Sequence, residues 1–103
     1  MDLRICHAIG ERRLLMFAYR GLVRVVEPHV YGVNSAGHEM LGAWLRAGYS
    51  RTDPQGGWRN YLADEVRDLQ MLDETFEGPR AGYNPRDPHF VEVFCRLGGE
   101  ASP

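Results

Sequence analysis

At 103 residues the chain is long enough for one domain with a single modest core and too short for two. All twelve of its basic residues are arginine, and the net charge of −2 excludes the broad basic surplus that most nucleic-acid binders carry. The charge is nonetheless uneven: residues 1–61 carry a net +3 and residues 62–103 a net −5, so any anion-binding surface has to be a local patch in the first part.

Residues 2–11 place Leu3, Cys6 or His7, and Ile9 at near-helical spacing, with Asp2 as N-cap and Gly10 as a stop. A helix this short needs something to pack on. Residues 14–19 are apolar on both alternating faces, as in a strand of a small closed barrel covered by a helix. Arg20-Gly21-Leu22 is short enough for a hairpin link. Residues 23–33 are too long for a flat strand, and Pro28 removes a ladder donor midway, which predicts a bend, a bulge or an edge position.

Asn34-Ser35-Ala36-Gly37 is a turn signal. A third strand follows over 38–49, with Leu41, Ala43 and Leu45 on one face and Met40, Gly42 and Trp44 on the other. Residues 50–57 read as a loop, 58–63 as a fourth strand and 66–72 as a fifth. An extended connection over 73–83 leads to a predicted C-terminal helix, with Asp87 at its N-cap, Pro88 in its first turn, Phe90, Val93, Phe94 and Leu97 on one face, and Gly98-Gly99 as the stop.

Cys6 and Cys95 lie near opposite ends of the chain. A disulfide between them is conceivable if the termini meet. The opening Met1-Asp2-Leu3-Arg4 has an early acid and no apolar segment, so the reading is no export signal, a cytoplasmic protein and two free, buried thiols. No apolar run approaches the length of a membrane span. His7, His29, His38 and His89 show no metal-ligand spacing, and the serines lack a nucleophile context, so neither a metal site, a cofactor nor an enzyme is expected.

The ordered set Ala8-Ile9, an apolar strand ending in Tyr19, Arg24-x-Val26-x-Pro28 and Arg59-x-Tyr61-x-x-Asp64 resembles the WYL domain, over roughly residues 3–76. The last piece aligns without a gap to the family pattern R-x-F-R-x-D-R-I. Where that family has Trp-Tyr-Leu this chain has Glu39-Met40-Leu41, and Leu62 and Glu65 stand at two of its arginine positions. The resemblance implies a mainly β fold, a small Sm-like or SH3-like five-stranded barrel over 1–76 with an N-terminal helix; the residue pattern itself adds a 77–103 extension whose short helix is expected to pack on it. It also implies a ligand-sensing regulatory module, in transcriptional or defence-related control, that binds a nucleotide or single-stranded nucleic acid.

The expected ligand-binding residues are Tyr19, Arg24, Glu39, Met40, Arg59 and Tyr61. Two guanidinium forks would hold an anionic group beside a stacking ring, with Glu39 expected to neutralise the arginine pair in the free protein. The alternative is a protein-interaction adaptor or dimerisation module that has lost ligand binding. A homodimer is expected through Met40 and Trp44 if their face is uncovered.

Overall fold

The structure is a computed structural model that describes residues 1–46 and 56–98. The expected run of the third strand to Tyr49, most of the 50–57 loop and the Gly99 stop lie outside the described residues. Helix α1 spans Leu3–Glu11 and is followed by strands β1 (Arg13–Tyr19), β2 (Leu22–Asn34), β3 (Glu39–Leu45), β4 (Gly57–Leu62), β5 (Val66–Thr75) and β6 (Phe90–Arg96), with a 3-10 turn over Ala63–Glu65 between β4 and β5.

Local chemistry explains most of these boundaries. Asp2 caps α1 as expected, its carboxylate accepting from the Arg4 N–H. The helix runs through Gly10 and ends at Arg12, which adopts the left-handed conformation and donates its N–H to the carbonyls of Ala8 and Ile9. Arg20 and Gly21 both have positive φ, 51° and 81°, and close a two-residue hairpin in which Tyr19 faces Leu22. The predicted irregularity at Pro28 is present. The β2–β3 register slips between Pro28 and Val30, leaving His29 as the extra residue of a bulge.

All pairings are antiparallel, in the order β4-β3-β2-β1-β5. Bent β2 serves two neighbours on one side. Its first part pairs with β1 through Leu22–Val26, and its last part pairs with β6 through Val30–Asn34. The expected closed five-stranded barrel is corrected to an open six-stranded sheet. The 3-10 turn carries the chain from β4 to β5, which pairs with β1, and no β4–β5 pairing is present among the described residues.

The expected C-terminal helix is also corrected: its residues form β6. The β2–β6 register contains two slips, which leave Phe94 and Val91 as extra residues. Each slip stretches the two-residue alternation to three, so a twice-bulged strand carries its apolar groups at spacings that imitate a helix. Gly32 permits this pairing, because a Cβ there would lie 2.0 Å from the Glu92 carbonyl oxygen.

The two faces of the sheet build two cores. Ile5, Ala8 and Ile9 of α1 pack with Leu15, Phe17, Val26, Tyr31, Leu41, Leu45 and others on the inner face. On the outer face Met40 joins Val30 and Phe90, flanked by Leu62 and Val93. Met40 is therefore buried by β6, and the uncovered Met40–Trp44 patch that motivated the dimer is not there.

The expectation of free thiols is overturned as well. Cys6 on α1 and Cys95 on β6 form a disulfide, with their Cα atoms 5.6 Å apart. Cys95 pairs with Tyr31, whose side chain is in the inner core, and that side of β6 is the one α1 covers. No described helix is long and apolar enough to cross a membrane.

Candidate ligand-binding site

Strand register decides which of the expected site residues meet. Directly opposed residues of an antiparallel pair point to the same face. Arg24 opposes Phe17, Arg59 opposes Ala43, and Tyr61 opposes Leu41, so both arginines and Tyr61 share the inner face with Tyr19. Ala43 has only a methyl group opposite Arg59, which leaves room for the guanidinium. Phe17, Tyr19 and Tyr61 form an edge-to-face trio with ring centroids 4.8–6.4 Å apart.

Within this cluster the polar atoms have different situations. The Tyr19 hydroxyl accepts the Leu62 N–H at 3.0 Å, so Tyr19 is a core aromatic whose polar end is already satisfied. The Arg24 guanidinium carbon lies 6.0 Å from the Tyr19 ring centroid, and its Nη2 makes one long contact, 3.5 Å, with the Tyr19 carbonyl. Arg24 Nε and Tyr61 Oη are both buried without a hydrogen bond of good geometry among the described residues, and the Arg24 side chain lies near enough to the Tyr61 hydroxyl to favour its ionised form. Arg59 donates from Nη1 to the Trp58 carbonyl at 2.6 Å. Burial pushes the Tyr61 hydroxyl above its ordinary pKa, opposed by the nearby charges of Arg24 and Arg59. Tyr61 therefore remains a neutral donor, beside two cations.

Glu39 and Met40 do not belong to this group. Glu39 opposes Val33, at the other end of β3 from Leu45, which opposes Val26. Four residues of β3 separate it from Ala43, the partner of Arg59, roughly 13 Å, and nine residues of β2 separate its partner Val33 from Arg24. There it accepts from the Tyr31 hydroxyl at 2.5 Å and pairs with the N-terminal ammonium at 3.0 Å. Burial, then the Glu39 carboxylate, pushes Tyr31 up to about 12. Met40 alternates onto the outer face and is core there. Asp64, the other acid considered for the arginines, contributes its carbonyl to Arg67, while Glu65 pairs with Arg20.

A second polar cluster, not anticipated from the sequence, lies on the outer face. Glu27 is 1% exposed and holds Arg80 through two bonds, 2.9 and 2.8 Å, and Arg46 through one of 2.8 Å. Burial raises the Glu27 carboxyl, but Arg80 and then Arg46 outweigh it and hold it below the usual carboxylate range. His29 is fully buried beside it, between Phe76, Trp58 and Tyr83. Its Nε2 accepts the Arg80 N–H at 3.1 Å, so Nδ1 carries the proton and donates to the Glu27 carbonyl at 2.9 Å. The Arg80 guanidinium also caps the Trp44 ring at 5.0 Å. Every polar atom just described is satisfied internally, which suits a brace that pins residues 79–83 to the sheet. The sequence signal was a Glu-Pro-His run within a strand, where charge has no place unless it is paired.

Comparison with known proteins finds no match: no family model, no curated protein and no solved structure aligns with the chain.

Proposed function

We propose that this chain is a ligand-sensing regulatory module of WYL-like type, which takes the phosphate of a nucleotide or of single-stranded nucleic acid at Arg24, with Arg59 and Tyr61 beside it. The observation that supports this reading is the pair of buried polar atoms, Arg24 Nε and Tyr61 Oη, on one face without a hydrogen bond of good geometry among the described residues. Buried donors without partners are rare in folded proteins, because each costs about 1–3 kcal/mol. A phosphate oxygen would accept from both. No carboxylate among the described residues pairs with Arg24, so an incoming anion has none to displace there. The proposed role is binding rather than catalysis.

The test is fluorescence anisotropy with a labelled oligothymidylate and, in competition, a nucleoside triphosphate. Binding should weaken as salt rises, since phosphate contacts release counterions, and Arg24→Ala should remove it. Absence of binding to either probe at low salt would leave the adaptor reading. That alternative draws on the open sheet, whose order ends at β4 and β5 without a further described strand. Such edges are available for adding a strand from a partner.

A further inference from the structure

On the outer face, between β3, β4 and the segment that leads into β6, lies a pocket of about 260 Å³. It is slightly smaller than the pockets that hold drug-sized ligands, and suits a single fused-ring system. Trp58 and Tyr83 line it with rings that are nearly parallel, 23° apart with centroids 6.2 Å apart, in a stacked arrangement that gives the pocket an aromatic side. Trp58 is fixed by donating its indole N–H to the Ala81 carbonyl at 2.9 Å, and Tyr83 by donating its hydroxyl to the Leu97 carbonyl at 2.9 Å. Gly42 and Val30 add further lining, packed so closely that a Cβ on Gly42 would lie 2.7 Å from Val30 Cγ1.

The polar groups of the pocket are few and specific. Asn60 hangs its carboxamide beside Gly42, offers both a donor and an acceptor, and makes no side-chain hydrogen bond within the described chain. Asp87 uses Oδ1 for His89, accepting its backbone N–H at 2.9 Å and facing its Nδ1 at 2.7 Å. Its Oδ2 has no such bond and remains an acceptor. Among the described lining residues Arg59 is a cation and Asp87 an anion.

We propose that this pocket is a binding site for a neutral, planar nitrogen heterocycle with adjacent N–H donors, the chemistry of a guanine base. The ring lies against the Trp58–Tyr83 wall. The donor edge meets Asp87 Oδ2, the carboxylate oxygen not engaged by His89, and Asn60 meets a ring carbonyl or nitrogen. A base lacking the donor edge loses the hydrogen bonds to the carboxylate and binds more weakly. Arg59 lines this pocket and also stands beside Arg24, so the two sites are neighbours, and guanosine, which carries no phosphate, tests this one separately.

The test is a titration of the isotope-labelled protein with guanosine, which carries no phosphate, followed by nuclear magnetic resonance. The Trp58 indole N–H and the Asn60 amide should shift saturably. N1-methylguanosine, which has lost one donor, should bind about tenfold more weakly, the scale of one hydrogen bond to a charged group. Asp87→Asn keeps the Oδ1 acceptor for His89 but removes the charge, and should weaken guanosine by a similar factor. The proposal is overturned if guanosine produces no saturable shift, if N1-methylguanosine binds equally well, or if Asp87→Asn retains full affinity with a native-like spectrum. The methylated ligand needs no variant, so the outcome does not hinge on folding.

Discussion

Arg80 grips Glu27 across 53 residues of sequence with two parallel N–H···O bonds, and Glu27 is almost completely buried where it does so. Removing one partner of a buried pair leaves the other charged and unsolvated. Arg80→Ala should therefore destabilise the protein by about 3 kcal/mol, the low end for such a break because Arg46 stays on the carboxylate. Urea unfolding measures it. A change within error of zero would mean that the pair does not brace the fold.

Acid should loosen the same brace in two steps. His29 is held neutral by burial, so its folded pKa lies below 6.5. Below that value the unfolded chain takes up a proton that the folded chain refuses, and stability falls as pH drops. Glu27 has a depressed pKa, so its contribution is present above 4.5 and is lost as pH falls through the lower folded value. Thermal unfolding from pH 7 to pH 4 should show Tm falling across both windows, and His29→Asn should flatten the upper one. A Tm that is constant down to pH 5 would refute the assignment of His29 as a buried neutral group.

The Cys6–Cys95 bond closes a loop with a sequence separation of 89. For a loop of this length the chain-entropy estimate is about 4.6 kcal/mol, and native disulfides commonly deliver about 2–4. The double variant Cys6→Ser, Cys95→Ser should lose stability of that order, with the same loss in wild type after reduction. A reducing compartment opens accessible disulfides, so mass measurement after thiol trapping in cells bears on where the protein resides. Full alkylation of both thiols without reductant would contradict the bond.

The residues that were legible in the sequence are those whose chemistry is local. Asp2 as a cap, the Arg20-Gly21 hairpin, the bulge at Pro28 and the alternation of Leu41, Ala43 and Leu45 against Met40, Gly42 and Trp44 all depend on neighbours in the chain. Because that alternation is local, the convergence of Tyr19, Arg24, Arg59 and Tyr61 on one face was within reach. What was missed depends on partners far away in sequence. Phe90, Val93, Phe94 and Leu97 look helical until the two bulges against β2 are known. Glu39 was assigned to the arginines because β3 neighbours β2, but neighbouring strands share a residue's level only where the register brings them together, and the register sends Glu39 to Val33. Glu27 and His29 acquire their roles only from Arg80, and Cys6 finds Cys95 only because α1 covers the β6 side of the sheet.

The central claim is that Arg24 Nε is a buried donor waiting for an anion, and its own N–H resonance reports on it most directly. The signal is assigned by its loss in Arg24→Lys, which keeps the charge but not the fork. On addition of a nucleoside triphosphate at low salt it should shift saturably, together with the Tyr61 ring signals, and the shift should diminish as salt rises. An Arg24 Nε–H resonance that stays fixed while the nucleotide and an oligothymidylate are added to excess would contradict the account.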